Sequence, residues 1–473
     1  MPSDNTVLLV NPNQMKPPVA PIAFDYLASA LKNSGHRVEL LDLCFSTNIA
    51  SDIDRHFKLG AASVAAITLR NTDDTTFATR DFFLPQIKRI VDSILPVHIV
   101  LGGSGFSVAP EAILEFCGLD LGIWGEGEHA LPLLVDRIVK GEDYRDVPGL
   151  VYRGRKGFHR NKPAYIDLSK MPTPQRNAID NERYYAEGGM GGVETKRGCP
   201  KKCIYCADPL GKGSKVRLRS PSSVADEIEL LLAQGIENIH ICDSEFNYPY
   251  EHAHAICREI IDRGLGSRLR WYAYCSAVPF DEELAQLFLQ SGCAGVNFGV
   301  DSASDRMLKT LGRDYSSEDV ARTAEICRRE SLVFMYDLLL GGPGETRDSL
   351  KETIEAMKCM LPHRVGASLG VRVYPNTKLA KMILQQGPIE TNLNLHGKRD
   401  RMFLAPVFYL SSELGNDASQ YLEALIGRDE RFMFMAANAS SNNYNYNANT
   451  VLVDAIRGGY RGAFWDILRR LGD

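Results

Sequence analysis

Short apolar runs alternate with stretches of helical periodicity twice along this chain, and that alternation dictates an α/β architecture. Thr6–Val10, Arg37–Leu43, Val64–Leu69, Val97–Leu101 and Leu119–Trp124 read as strands. Helical spacing lies between them, as in Ile22, Tyr26, Leu27, Ala30 and Leu31. Five strands with intervening helices predict a doubly wound parallel sheet over residues 1–140. Such sheets bind ligands beyond the carboxyl ends of their strands, which here carry Asn11–Val19, Arg70–Thr75, Gly102–Val108 and Gly125–Glu128. Residues 141–190, rich in Gly, Pro and charge, read as a connector in which Val151–Tyr152 and Ala164–Ile166 form a small hairpin. A second series follows, with strands at Val193–Lys196, Asn238–Cys242, Arg270–Tyr274, Gly295–Gly299, Val333–Leu340 and Ser368–Tyr374. Six units are too few for a closed eight-fold barrel, so residues 191–385 predict a partial (β/α)6 barrel. Residues 386–473 lose the rhythm and read as a mixed or helical C-terminal cap, with an odd polar run at Asn442–Asn447.

Charge and cysteine usage narrow the function. Lys plus Arg number 54 against 59 Asp plus Glu, and a net charge of -5 points away from a polyanion binder. No apolar run approaches the roughly 20 residues of a membrane-spanning helix, and the start, Met1-Pro2-Ser3-Asp4-Asn5, lacks the basic and apolar regions of a signal peptide. The expectation is a cytoplasmic enzyme with no nucleic-acid or membrane partner. Eleven cysteines, an odd number, are a poor disulfide framework. Eight are scattered (Cys44, Cys117, Cys242, Cys257, Cys275, Cys293, Cys327 and Cys359) and read mostly as buried small hydrophobes.

The other three decide the chemistry. Gly198-Cys199-Pro200-Lys201-Lys202-Cys203-Ile204-Tyr205-Cys206 sets three thiols at C-x3-C-x2-C spacing in a loop just after a strand. So short a loop can wrap three thiolates around one soft metal centre, and three ligands leave one iron of a 4Fe–4S cluster open. A structural zinc would need a fourth ligand; no His lies in the loop, and the nearest are His159 and His240.

This segment resembles the radical S-adenosylmethionine (SAM) superfamily, whose hallmark is this spacing with an aromatic residue before the last Cys, met by Tyr205. The resemblance spans roughly residues 191–385. It implies that Cys199, Cys203 and Cys206 hold the cluster, that SAM chelates the fourth iron, and that Tyr205 lies near the adenine. It makes Asp243 and Glu245 candidates for the methionine amine, although the family's usual Gly-Gly-Glu wording is missing from Cys242–Asn247. Gly299-Val300-Asp301-Ser302 resembles the ribose-side segment, so Asp301 and Ser302 are cofactor candidates. Gly341–Thr346 and Tyr374–Thr377 are frequent in the cobalamin-using branch; the plain reading of the first is a tight turn into a helix cap.

The N-terminal sheet resembles the cobalamin-binding domain fused to that branch. Pro18 within Pro17–Pro21, Gly102, Gly103, Ser104 and Gly105, and Gly125, Glu126, Gly127 and Glu128 stand where that family places its cofactor loops. Glycines at strand ends let backbone approach a large flat ligand. The loop after the first strand reads Asn11–Lys16 and carries no His, so the family's lower cobalt ligand is absent. Arg70 and Asn71, at the third strand end, are in position to face the corrin; the bland alternative pairs Arg70 with Asp73 or Asp74. His252 and His254, two apart on a helix, read as ordinary surface residues.

The resemblance implies a cobalamin-dependent radical SAM methyltransferase that uses SAM as methyl source and radical initiator and carries the methyl on methylcobalamin. Its substrate would be a small molecule or peptide, its reductant a flavodoxin or ferredoxin, and Glu245 and Tyr205 its catalytic candidates. The alternatives are a non-methylating rearrangement, cyclisation or ring contraction, and a polar methyl transfer in which Glu245 takes the open iron itself. A methylthiotransferase would need three further cluster cysteines, and only Cys44 and Cys117 precede residue 199.

Overall fold

A computed structural model of the chain describes residues 5–59, 62–94, 97–398, 401–435 and 449–472. The Asn442–Asn447 run lies outside the described residues. The first sheet has seven strands: β1 Thr6–Asn11, β2 Arg37–Asp42, β3 Val64–Thr68, β4 His98–Gly102, β5 Leu121–Ile123, β6 Leu150–Gly154 and β7 Gly157–Arg160. Their order is β2-β1-β3-β4-β5-β6-β7, parallel through β5 and antiparallel beyond. Successive side chains alternate between faces, so Val7 and Leu9 enter one core while Leu8 and Val10 enter another. Helices Ala23–Asn33 and Gly127–Lys140 contribute to the first core, and Leu84–Ser93 and Pro110–Cys117 to the second. Burial on both faces is why these strands read as continuous apolar runs. The doubly wound sheet is as expected.

The hairpin is a correction. Leu150–Gly154 pairs with Gly157–Arg160, not with Ala164–Ile166, because a two-residue turn at Arg155-Lys156 closes on the nearer partner. It also joins the edge of β5, so residues 150–160 of the 141–190 segment continue the first sheet.

The second sheet runs in chain order, parallel throughout: β8 Gly191–Val193, β9 Asn238–Ile241, β10 Arg270–Cys275, β11 Cys293–Asp301, β12 Phe334–Leu340, β13 Arg364–Leu369 and β14 Phe432–Phe434. Among the described residues β8 and β14 do not pair with each other, so the barrel stays open, as predicted. The sixth strand is Arg364–Leu369 rather than Ser368–Tyr374. Gly370, at φ 85°, ends it and turns Val371–Arg372 into a small antiparallel sheet with Val407–Tyr409 and Leu395–Gly397. The expected cap is mixed, and it is partly built into the barrel: β14 adds a seventh strand, and helix Phe464–Gly472 packs Trp465 against Tyr272 and Met335.

Buried ion pairs hold the two sheets together. Arg176 lies 2.9 Å from Asp25 and 2.6 Å from Glu227, Arg219 lies 2.5 Å from Glu227, and all four side chains are fully buried. Asp25 stands on a helix of the first sheet and Glu227 on helix Pro221–Ala233 of the barrel. Arg372 reaches across to Asp73 at 2.8 Å. No helix among the described residues is long and apolar enough to cross a membrane.

Candidate functional site

The Cys loop is tied down from three sides. Ile204, 1% exposed, donates its backbone N–H to Leu311 O at 3.0 Å and accepts Leu379 N–H at 2.8 Å. Cys199 N–H donates to Gly213 O at 3.1 Å. The apolar anchor is buried while the three thiols stay half-buried. Burial raises all three thiols, Cys203 to about 11; Cys199 raises Cys203 further, and both raise Cys206. Soft metal binding needs them deprotonated, so loading this loop releases protons. Among the described residues no three His, Cys, Asp or Glu side chains close around a point that one ion would fill. Three soft donors spaced along one loop fit an iron–sulfur cluster, whose thiolates stand further apart than those of a single ion.

Beside the loop, Arg313 organises a polar network that sequence reasoning missed. It donates through Nε to Asp301 Oδ2 at 2.6 Å, through Nη2 to the Tyr205 hydroxyl at 2.9 Å and through Nη1 to Glu245 Oε1 at 3.1 Å. The Tyr205 hydroxyl in turn donates to Asp301 Oδ2 at 2.6 Å. Three candidates, Tyr205, Glu245 and Asp301, are thus joined by one guanidinium. The clue was available: an Arg following Gly312 at a helix C-cap must be paired if buried. Glu245 Oε2 is buried and has no hydrogen-bond partner among the described residues. Burial raises the Glu245 carboxyl, against the pull of Arg313, and its charge is felt at Cys199 and Cys203. An acceptor left open beside the thiols fits a cationic ammonium group such as the one SAM carries.

Asp243 and Ser302 sit differently. Asp243 is 3% exposed and accepts from Thr195 N–H at 2.9 Å, Thr195 Oγ1 at 2.5 Å and Lys196 N–H at 3.3 Å. Both oxygens are committed to the strand that leads into the Cys loop. Ser302 is 1% exposed, 2.9 Å from Thr353 Oγ1, and receives Ser304 N–H. His252 is buried, 3.2 Å from Thr195 O, and is not a surface residue; His254 reaches Glu283 at 3.2 Å. Gly341–Thr346 is the turn and cap of the plain reading: Gly341 N–H donates to Glu345 at 2.6 Å and Thr346 caps helix Arg347–Met360.

The two sheets face each other across one cavity of about 810 Å³. Its first wall comes from the first sheet's strand ends: Pro18, Arg70, Asn71, Gly102–Gly105 and Gly125–Glu128. Its second comes from the barrel, with Tyr205 and Cys206 from the Cys loop and Met190, His240, Cys242, Tyr272, Tyr274 and Asn297 beyond. Phe464 and Trp465 of the C-terminal helix also line it. Arg70 therefore faces the cavity, while Asp73 is held by Arg372 and Asp74 by Thr76, Thr79 and Asp81. The glycine at 103 is explained by chain packing. It has φ 100°, and a Cβ there would lie 2.6 Å from Leu69 O, so the β3 and β4 ends touch. Gly102 has only Ile123 O within reach, at 3.8 Å, and leaves the wall open to a large ligand.

Glu126 and Glu128 join the sheets. Glu128 accepts Arg197 Nη2 at 2.6 Å, Glu194 accepts Arg197 Nε at 2.6 Å, and Glu126 lies 2.7 Å from Arg217. Arg197 directly precedes Gly198-Cys199, so the Gly125–Glu128 loop of one sheet is bolted to the Cys loop of the other. Of the scattered cysteines, Cys44, Cys117, Cys257, Cys275, Cys293 and Cys327 are buried, Cys359 is exposed, and Cys242 lines the cavity.

Comparisons with known proteins agree with this geometry. Residues 193–357 match the radical SAM superfamily and residues 13–135 the B12 binding domain. The tryptophan 2-C-methyltransferase of Streptomyces laurentii is 31% identical over 97% of this chain and 95% of its own length. A solved structure of the radical SAM methyltransferase TsrM from Kitasatospora setae, with tryptophan and a SAM analog bound, superposes with a TM-score of 0.91 at 32% identity, covering 98% of this chain and 97% of that one. Another structure of the Kitasatospora setae protein, with cobalamin and a 4Fe–4S cluster bound, superposes at 0.90 and 30% identity over 99% of this chain and 97% of that one.

Proposed function

The chain belongs to the cobalamin-dependent radical SAM methyltransferases, and on that premise we propose that it transfers a methyl group from SAM, by way of cobalamin, to a ring carbon of an aromatic amino acid. One observation carries the reading: a single cavity runs from Arg70 and the Gly102–Gly105 loop to Tyr205 and Cys206, so corrin, SAM and substrate share one space. Aromatic and apolar walls (Met190, Tyr272, Tyr274, Phe464 and Trp465) suit a flat ring, and the tryptophan relatives point the same way.

Cys199, Cys203 and Cys206 would hold the cluster, Glu245 and Tyr205 would border SAM, and Arg70 and Asn71 would underlie the corrin. When bound, these groups would supply the methyl group and the redox chemistry of its transfer, recharged by a donor such as flavodoxin or ferredoxin. The chain's own task is positioning. Arg313 locks the Tyr205 ring and the Glu245 carboxylate in one orientation, and Arg197 sets the span between the two cofactor loops. Arg70 would present to the corrin a cation that cannot ligate a metal. The open Glu245 Oε2 beside the thiols also favours a second reading, in which Glu245 occupies the fourth iron and transfer is polar.

The direct test supplies methyl-labelled SAM, L-tryptophan, cobalamin and a reductant to the iron-loaded chain. Label on a ring carbon is the expected result. Label on no carbon of any aromatic amino acid would overturn the reading.

A further inference from the structure

The inward face of the barrel carries side chains in levels that the parallel register sets. Residues in register point to the same face, and every second residue returns to it. Tyr272 pairs with Gly295, Tyr274 with Asn297, and Gly299 with Asp337. Trp465 closes the lowest level: a Cβ at Gly295 would lie 2.8 Å from its ring, and Tyr272 donates to neighbouring Asp466 at 2.8 Å. At the highest level a Cβ at Gly299 would lie 3.6 Å from Arg313 Nη2, which leads into the Tyr205–Glu245 network. Asn297 stands between, about 6.6 Å along the strand from each.

Asn297 is 4% exposed and lines the cavity. Its Nδ2 donates to Asp337 Oδ2 at 2.7 Å. A carboxylate accepts and cannot donate, so this bond decides the amide's orientation and turns Oδ1 the other way as an acceptor. Among the described residues Oδ1 has no hydrogen-bond partner. Aromatic faces surround it: Tyr274 is in register beside it, 41% exposed although it lines the cavity, with Tyr272 one level below. A buried acceptor of fixed orientation, at mid-height between an aromatic floor and the cofactor network, is a recognition element for a donor on a flat ring.

We propose that Asn297 Oδ1 accepts a hydrogen bond from a ring N–H of the substrate, so that the barrel selects nitrogen-bearing aromatic side chains over isosteres that lack the donor. Asp337 is the positioning residue that keeps the amide turned. The proposal rests on the aromatic-substrate reading above.

Calorimetry on the full chain, loaded with iron, cobalamin and SAM, tests it with two probes: L-tryptophan and 3-benzothienyl-L-alanine, in which sulfur replaces the ring N–H. The wild type should bind the sulfur analogue roughly tenfold or more weakly, because that probe leaves the buried acceptor unpaired. Asn297→Leu should bind both probes alike, and Asp337→Asn, which frees the amide to turn, should fall between. Iron content and the corrin spectrum report the folding of each variant; Asn297→Ala repeats the comparison should the leucine lose its cluster. Equal binding of both probes by the wild type, or full discrimination kept by Asn297→Leu or Asn297→Ala, overturns the role of Asn297 and leaves the aromatic reading standing. Binding of neither probe by the wild type overturns both.

Discussion

Arg197 donates to Glu128 across 2.6 Å, and that one bond ties the residue before the Cys loop to the Gly125–Glu128 loop of the other sheet. Both partners are nearly buried, at 9% and 12% side-chain exposure. Burying either charge alone would be costly, so the pair defines how the two halves seat against each other.

Arg197→Met should therefore destabilise the chain by about 3–5 kcal/mol, since it leaves the carboxylates of Glu126, Glu128 and Glu194 without their shared cation. Urea unfolding measures it. Arg217 still reaches Glu126, so the loss should fall at the lower end; a change below about 0.5 kcal/mol would mean water already screens the pair.

Replacing Cys199, Cys203 and Cys206 together with Ala should abolish iron binding while cobalamin uptake persists. The thiols stand on the barrel, whereas Arg70, Asn71 and the Gly102–Gly105 loop stand on the first sheet with cores of their own. Metal analysis beside a corrin absorbance titration separates the two, and full iron retention would refute the assignment of the loop.

Arg70→His should change the spectrum of bound cob(II)alamin, because imidazole can ligate and guanidinium cannot. Arg70→Lys should leave it unchanged. Identical electron paramagnetic resonance spectra for all three proteins would remove Arg70 from the corrin face.

Glu245→Ala should weaken SAM binding if its carboxylate holds the methionine amine, whereas a Glu245 that takes the open iron gives no such loss, and deoxyadenosine distinguishes the two roles. Radical transfer requires release of deoxyadenosine by the wild type alongside methylated product. Methylation with none released would assign Glu245 to the fourth iron and make the transfer polar.

His240 lines the cavity and supplies a pH test. Burial, opposed by Asp243 and aided by the charge of Arg70, lowers it from 6.5 to about 4. Between those values the unfolded chain binds a proton that the folded chain excludes. Stability should thus fall as pH drops through this window, by up to about 1.4 kcal/mol per unit. His240→Gln should flatten that part of the profile. An unchanged slope in denaturant titrations would mean the ring is protonated in place.

Local signals in the sequence sufficed for the two α/β series, the open barrel and the metal chemistry. Apolar strands buried on both faces are visible as runs, and three thiols within eight residues need no tertiary information to be read as one ligand set. Which residues serve that chemistry was a different matter. Asp243 and Glu245 are two apart and chemically alike, yet Asp243 is consumed by Thr195 and Lys196 while Glu245 keeps an oxygen open. Glu126 and Glu128, cofactor candidates by motif, also form the joint to Arg197 and Arg217, which no motif announced. Arg313 lies 68 residues from Glu245 and 108 from Tyr205, and Trp465 enters the barrel from a segment with no motif. Periodicity and spacing report on neighbours along the chain. Hydrogen bonds and ion pairs are short-ranged in space, so the partner of a buried charge, and with it the charge's role, is decided only when folding brings distant segments within about 3 Å.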